Sequence, residues 1–121
     1  MAVSREVTDH VRDLFSGLGP IEIKRMFGGA GVYLGDAMFA LITSDGEIYL
    51  RGDDNLGAAF EASDATRWVY RGQKKPVSMP YWQLPEPAME DPDEALHWAR
   101  QALIIAEQAA AEKRARKARR G

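Results

Sequence analysis

Apolar residues recur at helical spacing near the start of the chain. Val7, Val11, Leu14 and Leu18 fall on one side of a helix. Ser4 precedes them and has the short oxygen-bearing side chain that helix N-caps favour. This pattern predicts a first amphipathic helix.

A second helical pattern begins at Asp91-Pro92-Asp93-Glu94, which offers an N-cap acid, a proline at the first helical position and further acids in the first turn. Leu96, Ala99, Leu103 and Ala106 then form one apolar stripe. Beyond Ala111 the apolar pattern gives way to charge. We therefore expect one domain over residues 1–111 and a flexible basic tail over 112–121 that frays into solvent.

Short strand-like segments separated by turns fill the middle of the chain. Gly35-Asp36 suits a two-residue hairpin turn, residues 72–76 form a polar turn, and Pro80 favours an edge strand or a bulge. The predicted strands are residues 21–27 and 31–34 (or one strand broken by a glycine bulge at 28–29), 38–43, 47–51, 66–71 and 77–83, with a short helix over 55–62 capped by Asp53 or Asp54.

Connections this short favour antiparallel pairing, because parallel strands need long crossovers. The pattern predicts an α+β fold: a two-layer single domain, an antiparallel sheet with helices on one face, in the order α-β-β-β-β-α-β-β-α.

Composition limits the function classes. At 121 residues the chain suits one modest core, and the absence of cysteine excludes disulfides and thiol chemistry. No signal-like or membrane-spanning segment is present, so we expect a cytoplasmic protein without membrane contact. The net charge is −2, but six cations without an acid follow Glu112, which leaves −8 on residues 1–112.

The tail cations suggest one function, namely weak, salt-dependent, non-specific contact with nucleic-acid phosphates. Basic helix ends also serve solubility and complement the helix dipole, which is the alternative explanation. The candidate contacts are Lys113, Arg114, Arg116, Lys117, Arg119 and Arg120.

Catalytic and metal-binding patterns are missing from the sequence. His10 and His97 lack partners at metal-ligand spacing, and the serines lie outside any nucleophile motif. The cluster Gly28, Gly29 and Gly31 leads into another strand rather than a helix, so it indicates a bend or bulge instead of a phosphate loop. We therefore predict no catalytic residue, no metal and no cofactor.

Three short motifs carry a family resemblance over about residues 4–106. They are Arg25-Met26-Phe27-Gly28-Gly29, Gly31-Val32-Tyr33 and Met79-Pro80-Tyr81-Trp82 followed by Pro85. Together they resemble the N-terminal domain of the TfoX/Sxy family of bacterial competence regulators. The resemblance implies a regulator of genes for DNA uptake rather than an enzyme, and it supplies no catalytic residues. Full-length regulators carry a second domain, whereas this chain ends in the basic tail.

A non-enzymatic regulatory or protein-interaction module is the function that these observations favour. The candidate surface for an unidentified protein partner combines aromatic side chains, an arginine and the glycine bend. The competing hypothesis is a small enzyme or ligand-binding domain with a pocket near that bend. The sequence leaves the oligomeric state open, with a homodimer among the alternatives. The candidate interaction residues are Arg25, Gly28, Gly29, Tyr33, Tyr81 and Trp82.

Overall fold

The helices and strands follow the predicted order in a computed structural model that describes residues 3–26, 28–71 and 75–120. The helices are α1 (Arg5–Phe15), α2 (Asp54–Ala62) and α3 (Pro92–Arg120). The strands are β1 (Glu22–Met26), β2 (Gly29–Leu34), β3 (Ala37–Ile42), β4 (Ile48–Arg51), β5 (Arg67–Arg71) and β6 (Pro76–Gln83). Phe27 and residues 72–74, part of the predicted polar turn, lie outside the described residues.

The six strands of the described residues form one antiparallel sheet in the order β1-β2-β3-β4-β6-β5. The three helices share one core cluster with the sheet, α3 packing on β3 and β4 and α1 packing on α3. The predicted α+β class, with helices over one face of an antiparallel sheet, is confirmed.

The core forms because each helix turns one apolar stripe toward the sheet. Ser4 caps α1 by accepting a hydrogen bond from the Val7 N–H at 3.3 Å. In α3 the buried positions are all alanines, which let the helix approach the sheet closely. The largest side chains that are completely buried are Phe15, Phe39, Phe60, Leu14, Ile42, Ile48, Leu50 and Leu84.

Gly28 lies in a turn between β1 and β2, so the two-strand alternative is correct and the alternative of one strand with a bulge at 28–29 is not. Gly28 has φ of 80°, a left-handed conformation that favours glycine. Gly29 then begins β2, and a Cβ there would collide with the backbone oxygen of Ile42 on β3. Positive φ at one residue and close backbone approach at the next explain two of the three glycines.

A bulge occurs instead between β2 and β3. Val32 pairs with Ala40, but the next residue of β2, Tyr33, pairs with Met38. The extra residue is Phe39, and it joins Ala40 in the core between sheet and helices. The bulge also keeps Met38 on the opposite face of the sheet.

Pro80 does not lie on an edge strand. β6 pairs with β4 on one side and with β5 on the other, so it is internal. The missing N–H is tolerated because β4 has ended at this level and the register with β5 shifts between Arg67 and Val69. The bulge alternative is therefore correct, and the edge alternative is wrong.

The last helix is longer than its apolar pattern predicts. α3 runs without interruption to Arg120, although the pattern ends near Ala111. Alanine, arginine and lysine are strong helix formers, and cations near a helix C-terminus complement its dipole. The prediction that the segment frays overlooked this propensity, whereas the division into residues 1–111 and 112–121 stays a prediction.

Candidate interaction site on the open face of the sheet

The sheet face opposite the helices carries a second apolar cluster. Its buried members are Leu41, Tyr49 and Tyr81, which come from three neighbouring strands. Leu41 pairs directly with Tyr49 across β3 and β4, and Tyr81 lies on the adjacent β6. Met38, Trp68 and Met79 pack around them. We call these six residues the open-face cluster.

Trp68 is the centre of the aromatic part of this cluster. Its ring centroid lies 6.1 Å from that of Tyr49 and 6.4 Å from that of Tyr81, with the latter pair edge to face. Tyr70, two residues further along β5, packs edge to face on Trp68 at 5.8 Å. Such geometries are favourable because ring edges are positive and ring faces negative. The aromatic rings therefore hold one another in place.

The open-face cluster forms the floor of an open groove of about 910 Å³. Gly29 and Met26 lie at the β1–β2 end, and Val69 and Tyr70 at the β5 end. Tyr70 is 48 % exposed and Val69 37 % exposed, so apolar surface reaches solvent at the margin. The groove has no helix over it in the described part of the chain.

Charged side chains surround the groove. The Arg51 guanidinium lies 5.6 Å from the Tyr81 ring centroid. Arg67 also lines the groove, and its Nε donates to the Met79 carbonyl at 2.8 Å. Asp45 and Glu47 line it beside the turn before β4. The site is thus an apolar floor with cations and acids at its margin.

Burial perturbs two phenols in the floor. The pKa of Tyr81 is raised mainly by burial, and the nearby Arg51 guanidinium opposes that rise. The pKa of Tyr49 is raised by burial and then by the negative charge of Glu47. Both phenols therefore stay neutral at physiological pH and act as polar tips on apolar rings.

The histidines and potential metal ligands lie apart from this groove. His10 Nε2 is 2.8 Å from the Met89 carbonyl oxygen, and His97 contacts Gln101 within α3. Within residues 3–26, 28–71 and 75–120, no group of three or more His, Asp or Glu side chains is arranged so that it could hold a metal ion. None of the helices in these ranges is long and apolar enough to cross a bilayer.

The six candidate interaction residues do not share one surface. Gly29 and Tyr81 line the groove, and Gly28 is the exposed turn next to it. Tyr33 is half-buried under the ammonium group of Lys24, which lies 4.8 Å from its ring centroid. The interaction role of these residues stays a prediction.

Arg25 and Trp82 lie away from the groove. Arg25 donates a hydrogen bond at 2.9 Å to the carbonyl of Val3, at the start of the chain. Trp82 is 3 % exposed and stacks on Phe60 of α2, and its Nε1–H donates to Glu61 at 2.8 Å. Trp82 therefore packs in the core rather than on the surface where the sequence analysis placed it.

Most of the groove floor was not predicted, although the sequence contains a signal for it. Ala37–Ile42 is apolar at every position, a pattern typical of a strand covered on both faces. Trp68 and Tyr70 alternate with Arg67, Val69 and Arg71 and so indicate one aromatic face of β5. The floor residues missed are Met38, Leu41, Tyr49, Trp68 and Met79.

The basic residues form a separate surface on the last turns of α3. Every residue from Ala111 to Arg120 is exposed. Arg114 forms an ion pair with Asp36, in the turn between β2 and β3, and this pair lowers the pKa of the Asp36 carboxyl. The other five candidate cations are exposed and extend along the same helix.

Fold and groove together define a small α+β domain whose sheet is covered by helices on one face and open on the other. Residues 13–106 match the TfoX N-terminal domain family, and the chain belongs to that family. The predicted resemblance is confirmed.

A curated relative is the DNA transformation protein TfoX1 of Aliivibrio fischeri (strain ATCC 700601 / ES114). It is 31 % identical to this chain over 86 residues. The match covers 71 % of this chain and 41 % of the relative, so it spans about two fifths of that protein's length.

Proposed function

We propose that this chain is a non-enzymatic regulatory module that acts in the cytoplasm by binding a partner protein through the open-face groove. The observation that carries the proposal is the apolar, aromatic floor on the uncovered face of the sheet. Val69 and Tyr70 extend this floor to solvent at its margin, and exposed apolar surface of this kind is typical of an interaction site. The family membership and the name of the A. fischeri protein support a role in regulating DNA transformation.

The composition of the groove favours a protein partner over a small substrate. Tyrosine, tryptophan, methionine and arginine are the residues that protein interfaces enrich. The groove is open to solvent and its perturbed groups are two phenols, neither next to a histidine or a carboxylate–histidine pair. We expect the partner to contribute a large apolar side chain that packs against Trp68.

Site-specific photo-crosslinking in the native cell tests this proposal. A photoreactive phenylalanine analogue at position 70, on the groove margin, should capture one partner protein. The same analogue at position 104 is the matched control, because Ile104 is 57 % exposed but lies on α3. Equal capture from both positions would contradict the proposed site.

The captured partner should then be purified and its affinity measured by calorimetry. Removal of a central aromatic residue of an interface typically costs about 2 kcal/mol, so Trp68→Ala should weaken binding by about 30-fold. Ile104→Ala should leave the affinity unchanged. If the captured protein is a second copy of this chain, the proposal of a regulatory partner in the groove is contradicted. The proposal is also contradicted if Trp68→Ala binds the captured partner with unchanged affinity.

A further inference from the structure

The last turns of α3 form a cationic helical extension with unusual composition. Lys113–Arg120 contains six cations, two alanines and no acid. The net charge of the chain is −2, so the remainder carries −8. Six positive charges within eight residues repel one another. Because α3 continues through this segment, the charges are held along one helix axis.

Helical geometry places much of this charge on one face. Ala95, Ala99, Ala102 and Ala106 are the buried positions that pack on the body. Seven, eleven and fourteen residues after Ala106 come Lys113, Lys117 and Arg120, which lie on the same face because an α-helix has 3.6 residues per turn. The face that packs on the sheet therefore becomes cationic where the sheet ends.

The body does not cover this face. Ala110 is the last half-buried residue of α3, and all ten residues from Ala111 to Arg120 are exposed. At about 1.5 Å per residue, ten residues extend roughly 15 Å. The ion pair between Arg114 and Asp36 anchors the beginning of the extension at the β2–β3 turn. Lys113 and Lys117 line a small pocket with Asp36 and Ala110, and all six cations of the extension are exposed.

We propose that this extension binds the phosphate backbone of duplex DNA without sequence specificity. Duplex DNA carries one negative charge per about 1.7 Å of axis, and its major groove admits an α-helix. Because all six cations are exposed, phosphates can reach them without a change in the folded body. This binding is additional to the proposed protein partner and uses a different surface.

DNA fits this extension better than a membrane surface does. Helices that bind a membrane interface bury a face of large apolar residues. Between Lys113 and Arg120 the only apolar side chains are those of Ala115 and Ala118. The extension therefore offers charge without a hydrophobic anchor, which matches a polyanion whose contacts are phosphates.

Fluorescence anisotropy with a labelled duplex of about 20 base pairs tests the proposal at several salt concentrations. The variant Lys113→Ala/Lys117→Ala/Arg120→Ala should weaken binding more than tenfold at low salt. Its log–log salt slope should be shallower by about 3, because each lost phosphate contact removes about 0.9. Alanine preserves helix propensity, and far-ultraviolet circular dichroism checks that the helix remains.

The matched control removes three positive charges from elsewhere. Arg5, Arg12 and Arg100 are exposed and lie on helical segments of the body. Their triple alanine variant has the same net charge as the first variant, but it should bind DNA like the wild type. Equal weakening in both variants would show a general charge effect and would overturn the proposal.

Asp36→Asn should change the affinity for DNA in the opposite direction. It frees Arg114 and removes a negative charge beside the extension, so DNA binding should tighten. Asparagine suits the second central position of a turn that begins with glycine, so the hairpin should persist. Unchanged or weaker binding, or tighter binding of the wild type to vesicles containing phosphatidylserine than to DNA, would overturn the proposal.

Discussion

Tyr81 and Trp82 are neighbours in the sequence but belong to opposite surfaces of the sheet. Successive side chains of a strand point to opposite faces, so one aromatic ring enters the open groove and the next packs on α2. The sequence analysis grouped them because both are aromatic and adjacent. The alternation of side chains along a strand was enough to place Tyr81 and Trp82 on opposite faces of the sheet. That both faces are buried at this point follows from the internal position of β6, which the sequence did not show.

Gly29 is the residue at which substitution should be most costly within the glycine cluster. A Cβ there meets the Ile42 carbonyl oxygen, which is backbone within the sheet and cannot move freely. We expect Gly29→Ala to lower the free energy of unfolding by about 2 kcal/mol, as overpacking does. Urea denaturation measures this change.

Gly35 provides the comparison because a Cβ at this position would meet no atom within 4 Å, and its φ of 63° is the only obstacle. Asparagine tolerates that conformation better than alanine does. Gly35→Asn should therefore be milder than Gly35→Ala, whereas Gly29→Asn should be at least as harmful as Gly29→Ala. A rescue by asparagine at position 29 would point to backbone conformation rather than close approach.

The two buried phenols should give the protein a distinct alkaline titration. The pKa values of Tyr49 and Tyr81 are raised above the ordinary value of 10.0. The unfolded chain therefore loses these protons at lower pH than the folded chain does, and stability falls as the pH rises above about 10. Ultraviolet absorbance of phenolate against pH should show two late-titrating groups.

Phenylalanine substitutions assign these groups. Tyr81→Phe and Tyr49→Phe should each remove one late-titrating phenol, and the double variant should remove both. The fall in stability between pH 8 and pH 10.5, measured by urea denaturation, should be smallest in the double variant. A late component that persists in the double variant would contradict the assignment.

At the scale of elements, α2 depends on its first turn. The Asp53 carboxylate accepts a hydrogen bond from the Leu56 N–H at 2.8 Å, and it is the N-cap of this nine-residue helix. Asp53→Ala should lower the free energy of unfolding by about 1 kcal/mol, because it leaves that N–H without its cap. Thermal and urea denaturation measure the loss.

Two further substitutions separate capping from charge in α2. Asp53→Asn keeps a capping oxygen and should retain most of the stability. Asp54→Ala removes an acid from the same first turn without removing the cap, so its effect should be smaller than that of Asp53→Ala. Equal losses for the two alanine variants would indicate that helix-dipole charge is the main contribution.

The sequence predicts regular elements better than it predicts their irregularities. The stripes of α1 and α3 are periodic, and both helices form. The bulge in β3 could not be predicted from the pattern of apolar residues. Ala37–Ile42 is apolar throughout, so any register places apolar residues on both faces of the sheet. The helical extension was missed because its residues favour helix by propensity and lack an apolar period.

At the scale of the whole molecule, the order of the strands could not be read from the sequence. Turn lengths predict which strands form hairpins, but either strand of the β5–β6 hairpin could pair with β4. The observed choice places β6 beside β4, so that Trp82 reaches α2 and Tyr81 reaches the open face. The groove depends on that choice, which explains why the sequence did not reveal most of its floor.

Truncation after Ala111 should leave the folded body unchanged. Removing residues 112–121 deletes the end of α3, whose residues 112–120 are exposed. It also removes the exposed ion pair between Arg114 and Asp36, and such pairs contribute little to stability. The thermal unfolding midpoint should match that of the full chain within experimental error. Truncation after Ala102, which also removes the buried Ala106, should lower it clearly.

The positions of β1 and β5 at the two ends of the sheet have a consequence for aggregation. A sheet with an apolar open face and two free edges could add the strands of other molecules and grow into a fibre. Here β1 carries exposed Glu22, Lys24 and Arg25, and β5 begins with exposed Arg67. Charged edges disfavour the addition of a like-charged strand. The charges on β1 and β5 therefore oppose strand addition at both ends of the sheet.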